Sequence, residues 1–301
     1  MKSTIVIALG GNALLKRGQL MSYENQLENI QIAANAISKL TEKYQIAIVH
    51  GNGPQVGLLA QQNDNYKEVP AYPLSCLVSE TQGMIATMLV QELRKVTNKP
   101  IVSILTHVEV DANDPAFSDP TKFIGAIYSE SEAKIFAEKY GWSIKPDGQH
   151  FRRVVASPKP IKVRESAAIK TALDNGNIVI CGGGGGIPVT QIEGTFSNID
   201  CVIDKDATAA LLATQIQASY LVILTDGDGI YLNWGTPEQI KLDEIDTNKL
   251  ATYTFAKGSM QPKVDAVIEF VNSEKGRIGL IADLQLASEA LSGKAGTRIT
   301  N

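Results

Sequence analysis

Four times the chain runs a β-branched apolar stretch straight into glycine. The stretches are Ile5-Val-Ile-Ala-Leu-Gly-Gly-Asn12, Ile46-Ala-Ile-Val-His-Gly-Asn-Gly53, Ile178-Val-Ile-Cys-Gly-Gly-Gly-Gly-Gly186 and Leu221-Val-Ile-Leu-Thr-Asp-Gly227. Short continuous Ile/Val runs are the mark of strands buried on both faces of a parallel sheet. A strand that ends in glycine lets backbone approach a ligand with no side chain in between. In open α/β folds that place is the carboxyl edge of the sheet, where ligands bind. The repetition points to a phosphate-handling edge.

Further apolar runs near 101–105 and 277–282 complete the strand set. Between the strands lie helical stripes at spacings of three and four: Leu27, Ile30, Ala34, Ile37 and Leu40; then Met84, Met88, Leu89 and Leu93. Ala209, Leu212, Ala213 and Ile216 form a third stripe, and Val264, Val267, Ile268 and Val271 a fourth. Strand and helix alternate, so the expected class is α/β with a mainly parallel sheet. Residues 111–160 break the rhythm with five prolines and a basic character from Lys122, Arg152, Arg153 and Lys159. This stretch reads as a protruding lid subdomain, because long connections without a role are uncommon. The glycine run at 182–186 marks a boundary between an N-terminal lobe, 1–185, and a C-terminal lobe, 186–301.

At 301 residues the chain can bury a large core, and its 44% hydrophobic and 20% charged composition is that of an ordinary globular enzyme. The formal net charge of −4 argues against non-specific nucleic-acid binding but leaves room for a local cationic pocket. Three cysteines without C-x-x-C spacing disfavour a disulfide framework, and no two of the three histidines stand at metal-ligand spacing. The start carries no signal h-region and there is no 18-residue apolar run, so the expected location is the cytoplasm, away from membranes.

The turn at 50–57, His-Gly-Asn-Gly-Pro-Gln-Val-Gly, places Pro54 to open a helix whose N-terminus offers free N–H groups to an anion. A tight strand-to-helix turn without a ligand is the alternative. Gly51, Gly53 and Gly57 are spaced one residue off the dinucleotide fingerprint, which weakens an oxidoreductase reading. Gly10-Gly-Asn12 repeats the logic with an amide donor, and no G-x-x-x-x-G-K-[ST] occurs, so any phosphoryl group is not held by a P-loop.

In Val202-Ile-Asp-Lys-Asp206, Asp206 reads either as a helix N-cap or as the carboxylate that organises a lysine. Lys205, between two aspartates, would be oriented and kept charged, as a phosphoryl clamp must be. Lys263 follows Pro262 at the start of the last long helix, against the dipole by about 0.3–1 kcal/mol, a cost that an anionic ligand would offset. Lys122 in the excursion reads equally as a lid residue or a solvated lysine. Asp226-Gly-Asp-Gly229 lacks calcium-ligand spacing, and His50 has no nucleophile motif beside it.

Taken together these segments, with Thr81-Gln-Gly83, Pro120-Thr-Lys122, Arg152-Arg-Val-Val-Ala-Ser-Pro158 and Gly258-Ser-Met260, resemble the carbamate kinases of the amino acid kinase superfamily, in order and over nearly the whole chain. The resemblance implies a three-layer α/β/α sandwich with a small protruding lid, an N-terminal lobe for carbamoyl phosphate or carbamate, and a C-terminal lobe for ADP or ATP. It further implies Mg²⁺ and a homodimer, with no metal-ligating residues assigned. Carried over by matching positions, Lys122, Lys205, Asp206 and Lys263 would be catalytic, and Gly10, Gly11, Asn12, Gly51, Asn52 and Gly53 would cradle substrate and phosphoryl oxygens. Thr225, Asp226, Tyr231 and Met260 would border the nucleotide. Phe123, Ser75 and Phe151 depart from the family's usual proline, aspartate and tryptophan, which suggests a divergent, catabolic branch; the resemblance carries with it an expectation of arginine or purine catabolism. A kinase of another small carboxylic acid would share the scaffold, although those relatives resemble Lys-x-Gly-Gly where this chain has Ala8. A non-catalytic regulatory homologue is the remaining alternative, and the retained lysines argue against it.

Overall fold

Alternate residues of the buried strands feed two separate apolar cores. In the computed structural model, which describes residues 2–16, 18–192, 194–256 and 258–301 and not the Asn12 side chain, Val6, Ala8, Ala47, Val49, Val179, Leu221 and Ile223 face one core. Ile5, Ile7, Leu9, Ile46, Ile48, Ile180, Val222 and Leu224 face the other. A pleated strand sends successive side chains to opposite faces, so a sheet covered on both sides needs apolar residues at every position. Helices Ser166–Asp174, Lys205–Gln215 and Met260–Asn272 cover the first face; Tyr23–Ser38, Leu74–Val96 and Ala287–Leu291 cover the second. The result is a three-layer α/β/α sandwich. Met84, expected in a core stripe, is exposed; the inward stripe of its helix is Ile85, Met88, Leu89 and Leu93.

The central sheet has the order Glu244–Asp246, Thr297–Thr300, Ile278–Asp283, Tyr220–Thr225, Ser3–Leu9, Tyr44–His50, Ile178–Ile180, Ile101–Ser103. Among the described residues only Thr297–Thr300 runs antiparallel to a neighbour, Ile278–Asp283. Residues 1–185 and 186–301 therefore share one sheet, joined where Ser3–Leu9 pairs with Tyr220–Thr225. The register sets Leu9 opposite both His50 and Leu224, and Ile48 opposite Ile180. The glycine turns that follow these residues are consequently neighbours along one edge.

A second sheet, ordered Thr195–Asn198, Ile187–Ile192, His107–Val110, Pro160–Val163, forms the base from which residues 111–159 depart. That excursion contains an antiparallel sheet, Lys122–Tyr128, His150–Val155 and Ser143–Asp147, with His150–Val155 in the middle, and the helix Glu130–Tyr140. Ser129 and Glu132 form a capping box that starts this helix, and Gly141 in the left-handed region ends it.

The small subdomain docks on the helix Gly53–Asn65 at both ends. Near the first end the backbones of Gly57 and Gly125 touch: a Cβ on Gly57 would stand 2.0 Å from the Gly125 Cα. At the other end, Trp142 Nε1 donates to Asp64 Oδ2 at 3.1 Å and the Tyr140 hydroxyl donates to Asn65 Oδ1 at 2.8 Å. Arg153 lies over the Trp142 ring, 4.7 Å from its centroid, and 3.8 Å from Asp64. The run Gly182–Gly186 is a packing device of the same kind. A Cβ on Gly183 would stand 2.4 Å from the His50 ring, one on Gly184 2.2 Å from the Asn52 amide, and one on Gly185 2.2 Å from the Ile203 carbonyl oxygen.

Two predictions follow from these contacts. Gly57→Ala should cost about 1–3 kcal/mol as an overpacked contact and expose the subdomain to proteolysis. Gly83→Ala, in a helix with open space around it, should be neutral or stabilising by up to about 1 kcal/mol. Equal melting temperatures for the two variants would refute the tight docking. The second concerns His50, whose Nδ1–H donates to the Gly51 carbonyl at 3.0 Å. Burial pushes its pKa down from 6.5 to about 4, opposed only by that bond. The unfolded chain thus binds the extra proton first, and the protein loses stability as pH falls from 6.5 towards 4. The loss attributable to His50 is at most about 3 kcal/mol. The decline of melting temperature across that window should be shallower in His50→Asn; parallel curves would remove His50 from the acid response.

Candidate active site

Asp204, extended in backbone, follows the buried segment Cys201–Ile203 and caps the helix Lys205–Gln215: its Oδ1 accepts the N–H groups of Asp206 at 2.9 Å and Ala207 at 3.3 Å. The cap is therefore Asp204, not Asp206, which lies in the first helical turn with its carboxylate turned to two lysines. Lys205 donates to Asp206 Oδ1, and Lys263, from the first turn of Met260–Asn272, donates to Asp206 Oδ2 at 3.1 Å. Lys122, at the start of the first strand of the small subdomain, donates to Asp204 Oδ2. Among these five side chains, three lysines face two carboxylates, an excess that suits the place to an anion.

Burial and charge pull on these groups in different directions. Desolvation opposes the Asp204 charge, yet Lys122 and Lys205 together hold its carboxyl well below the usual range. Burial likewise works against the Lys122 ammonium, and Asp204 more than restores it, so its pKa is raised. Lys205 goes the other way. Its burial, reinforced by Lys263, outweighs Asp206 and Asp204 and lowers its pKa. Two flanking carboxylates do not by themselves secure that charge, because desolvation is the larger effect.

The glycine turns close on this cluster. A Cβ on Gly51 would stand 3.4 Å from Lys205 Cδ and 3.7 Å from the Gly11 nitrogen. Gly51, Gly11 and the Lys205 stem therefore converge. Gly10 and Gly51 contribute room more than donors, since their N–H groups bond the Leu224 and Leu9 carbonyls at 3.0 and 3.1 Å. Gly11 and Gly53 begin a 3-10 turn and a helix, positions whose N–H groups have no acceptor within their own element. The Asn12 side chain lies outside the described residues. Asn52 turns its amide onto Thr81 Oγ1 at 2.9 Å and packs on Gly184, so it braces the turn.

The remaining candidates occupy the neighbouring edge. Thr225 adjoins the Gly10 turn and donates to Asp226 Oδ1 at 3.0 Å. Tyr231 donates to Asp228 Oδ1 at 2.8 Å, and its ring meets Trp234 edge-on at 5.0 Å. Met260 opens the helix that carries Lys263 and packs on the apolar core. Thr225 and Asp226 also line a pocket of about 170 Å³ with Ala13, Lys16, Asn29 and Asp283, which includes none of the three lysines.

Two residues that carry the geometry lie in the motif segments but not among the candidate site residues. Asp204 is one. Arg152 is the other: it donates to the Gly125 carbonyl at 3.0 Å and lies 5.6 Å from the centroid of the Phe123 ring, bracing the strand that bears Lys122. Phe123 thus has a stacking partner. Ser75, by contrast, is buried with its hydroxyl unpartnered, and Phe151 pairs with Tyr128 inside the subdomain sheet.

Comparison with known proteins agrees with this geometry. The profile of the amino acid kinase family matches residues 3–281. Carbamate kinase of Escherichia coli (strain K12) is 51% identical over 298 residues, covering 99% of both chains. The carbamate kinase of Giardia lamblia bound to citric acid superposes with a TM-score of 0.94 at 40% identity, covering 99% of this chain and 98% of that one. The same enzyme bound to AMP-PNP superposes with a TM-score of 0.90 at 39% identity, with equal coverage. A buried lysine–aspartate cluster on a glycine-lined sheet edge, in a fold shared over its full length with these enzymes, identifies the chain as a member of the amino acid kinase family, on its carbamate kinase branch.

Proposed function

We infer that the chain catalyses reversible transfer of a phosphoryl group between carbamoyl phosphate and ADP, giving ATP and carbamate. The observation that carries this reading is the convergence of Lys122, Lys205 and Lys263 on Asp204 and Asp206 beside glycines that leave room for a ligand. Phosphoryl transfer asks little covalent chemistry of a protein; positioning and charge stabilisation carry it. An oxygen of the ADP β-phosphate attacks phosphorus, the bond to the carbamate oxygen breaks, and its electron pair leaves with carbamate. Negative charge spreads over the transferring oxygens as this happens. The lysines neutralise it, Asp206 keeps two of them at a fixed separation, and the N–H groups of Gly11 and Gly53 supply neutral donors.

In this reading residues 1–185 receive carbamoyl phosphate or carbamate and residues 186–301 the nucleotide, with Thr225, Asp226, Tyr231 and Met260 on the nucleotide side and the small subdomain as a lid. The AMP-PNP complex of the Giardia enzyme supports a nucleotide partner. Mg²⁺ supplies charge neutralisation to nucleotide phosphates. Asp204 and Asp206 are both engaged by lysines here, and no group of three or more metal-ligating side chains stands together among the described residues. The donor set therefore fits an ion that arrives on the nucleotide, not one held in a protein cage. A homodimer working in the cytoplasm, in arginine or purine catabolism, completes the proposal.

The deciding experiment is a coupled assay of ATP formation from ADP and carbamoyl phosphate, with acetyl phosphate run beside it. Preference for acetyl phosphate would favour a kinase of another small carboxylic acid. Lys205→Ala and Lys263→Ala should each lower kcat by about 10²–10³ while far-UV circular dichroism is retained. Turnover near that of the wild type in either variant would sink the assignment.

A further inference from the structure

Asp204 divides its two oxygens between different parts of the fold. Oδ1 caps the helix that begins with Lys205 and Asp206, and Oδ2 holds the ammonium of Lys122, 82 residues away on the small subdomain. Asp206 is divided in the same manner between Lys205 and Lys263. One helical turn therefore sets where all three lysines stand.

The three are not equally fixed. The Lys122 side chain is 32% exposed, against 10% for Lys205 and 16% for Lys263. Lys122 is thus the one that can change partner with the least desolvation. If it left, the Asp204 carboxylate would keep the helix N–H groups and the charge of Lys205 nearby. Its 24% exposure also admits water. Neither departure leaves a buried charge without compensation, which is the condition that makes broken ion pairs expensive. A phosphoryl group bears more negative charge than a carboxylate and outcompetes it for the ammonium.

We propose that Asp204 is a positioning residue for Lys122: it holds the ammonium in the site before a phosphoryl group arrives and yields it to that group, while its cap keeps Lys205 and Asp206 in register. The inference rests on the phosphoryl-transfer reading and adds to it a residue that touches no reacting atom.

Asp204→Asn separates the two duties, because asparagine caps helices as well as aspartate does but carries no charge. In Asp204→Asn, kcat/KM for ATP formation should fall by about 10²-fold, as expected when a reacting group loses its placement in the free enzyme, with a smaller change in kcat at saturation. The same substitution in a Lys122→Met background should add nothing further. Asp204→Ala should in addition lower the melting temperature, through loss of the cap. A thermal double-mutant cycle between Asp204→Asn and Lys122→Met needs no turnover. It should show coupling in the ligand-free protein that disappears with saturating Mg²⁺ and AMP-PNP. Wild-type kcat/KM in Asp204→Asn, or an equal effect with and without Lys122, would overturn the proposal. So would coupling that is absent without ligand or persists with AMP-PNP. Coupling without any ATP formation by the wild-type protein would overturn the functional reading instead and leave the ion pair standing.

Discussion

Two ammonium groups share the buried carboxylate of Asp206, and the rest of the site is arranged around keeping that sharing tolerable. A buried ion is stable only when it is paired and hydrogen-bonded, and removing one partner of such a pair costs about 3–5 kcal/mol. Here the pairing is deliberately incomplete. Asp206 and Asp204 face three lysines, which makes the place suited to an anion. Charges held in place by such pairs act as electrostatic preorganisation for Lys205 and Lys263, which share Asp206, whereas Lys122 is the one proposed to change partner.

The parallel sheet makes the arrangement possible. Its strands end together, so turns far apart in the chain arrive side by side, and glycine at Gly11, Gly51 and Gly53 leaves them without obstructing side chains. The Lys205 stem passes beside Gly51, at contact distance from where a Cβ there would stand. The five glycines at 182–186 serve a different end. They let His50, Asn52 and Ile203 pack directly on backbone, which locks the second turn to the segment leading into Asp204.

Much of this is legible in the sequence, for reasons tied to particular residues. Ile5–Leu9 and Leu221–Leu224 declare themselves because a strand buried on both faces must be apolar throughout. Glu244–Asp246 at the edge of the sheet and Thr297–Thr300 beside it are short and half polar, and their sequences look like loops. Asp204 and Asp206 are separated by one residue and share a residue type. Only the backbone decides which of them caps the helix, and the extended conformation falls at Asp204. Lys122, Lys205 and Lys263 stand out as candidates by local context, but their meeting spans 82 and 57 residues and no spacing rule encodes it. The lowered proton affinity of Lys205 is equally invisible in one dimension, since it comes from burial by distant elements.

The backbone contact of Gly57 with Gly125 makes the small subdomain a lever, not a flap. Trp142, Tyr140 and Arg153 fasten its far side to Asp64 and Asn65, so the helix Gly53–Asn65 is clasped at both ends. Swinging the subdomain away from that helix would break these contacts. Any opening that preserves the clasp carries Gly53, at the head of that helix, along with Lys122. If the subdomain acts as the proposed lid, access to the site and the shape of its second glycine turn would change together, because the clasp joins Gly53 to Lys122.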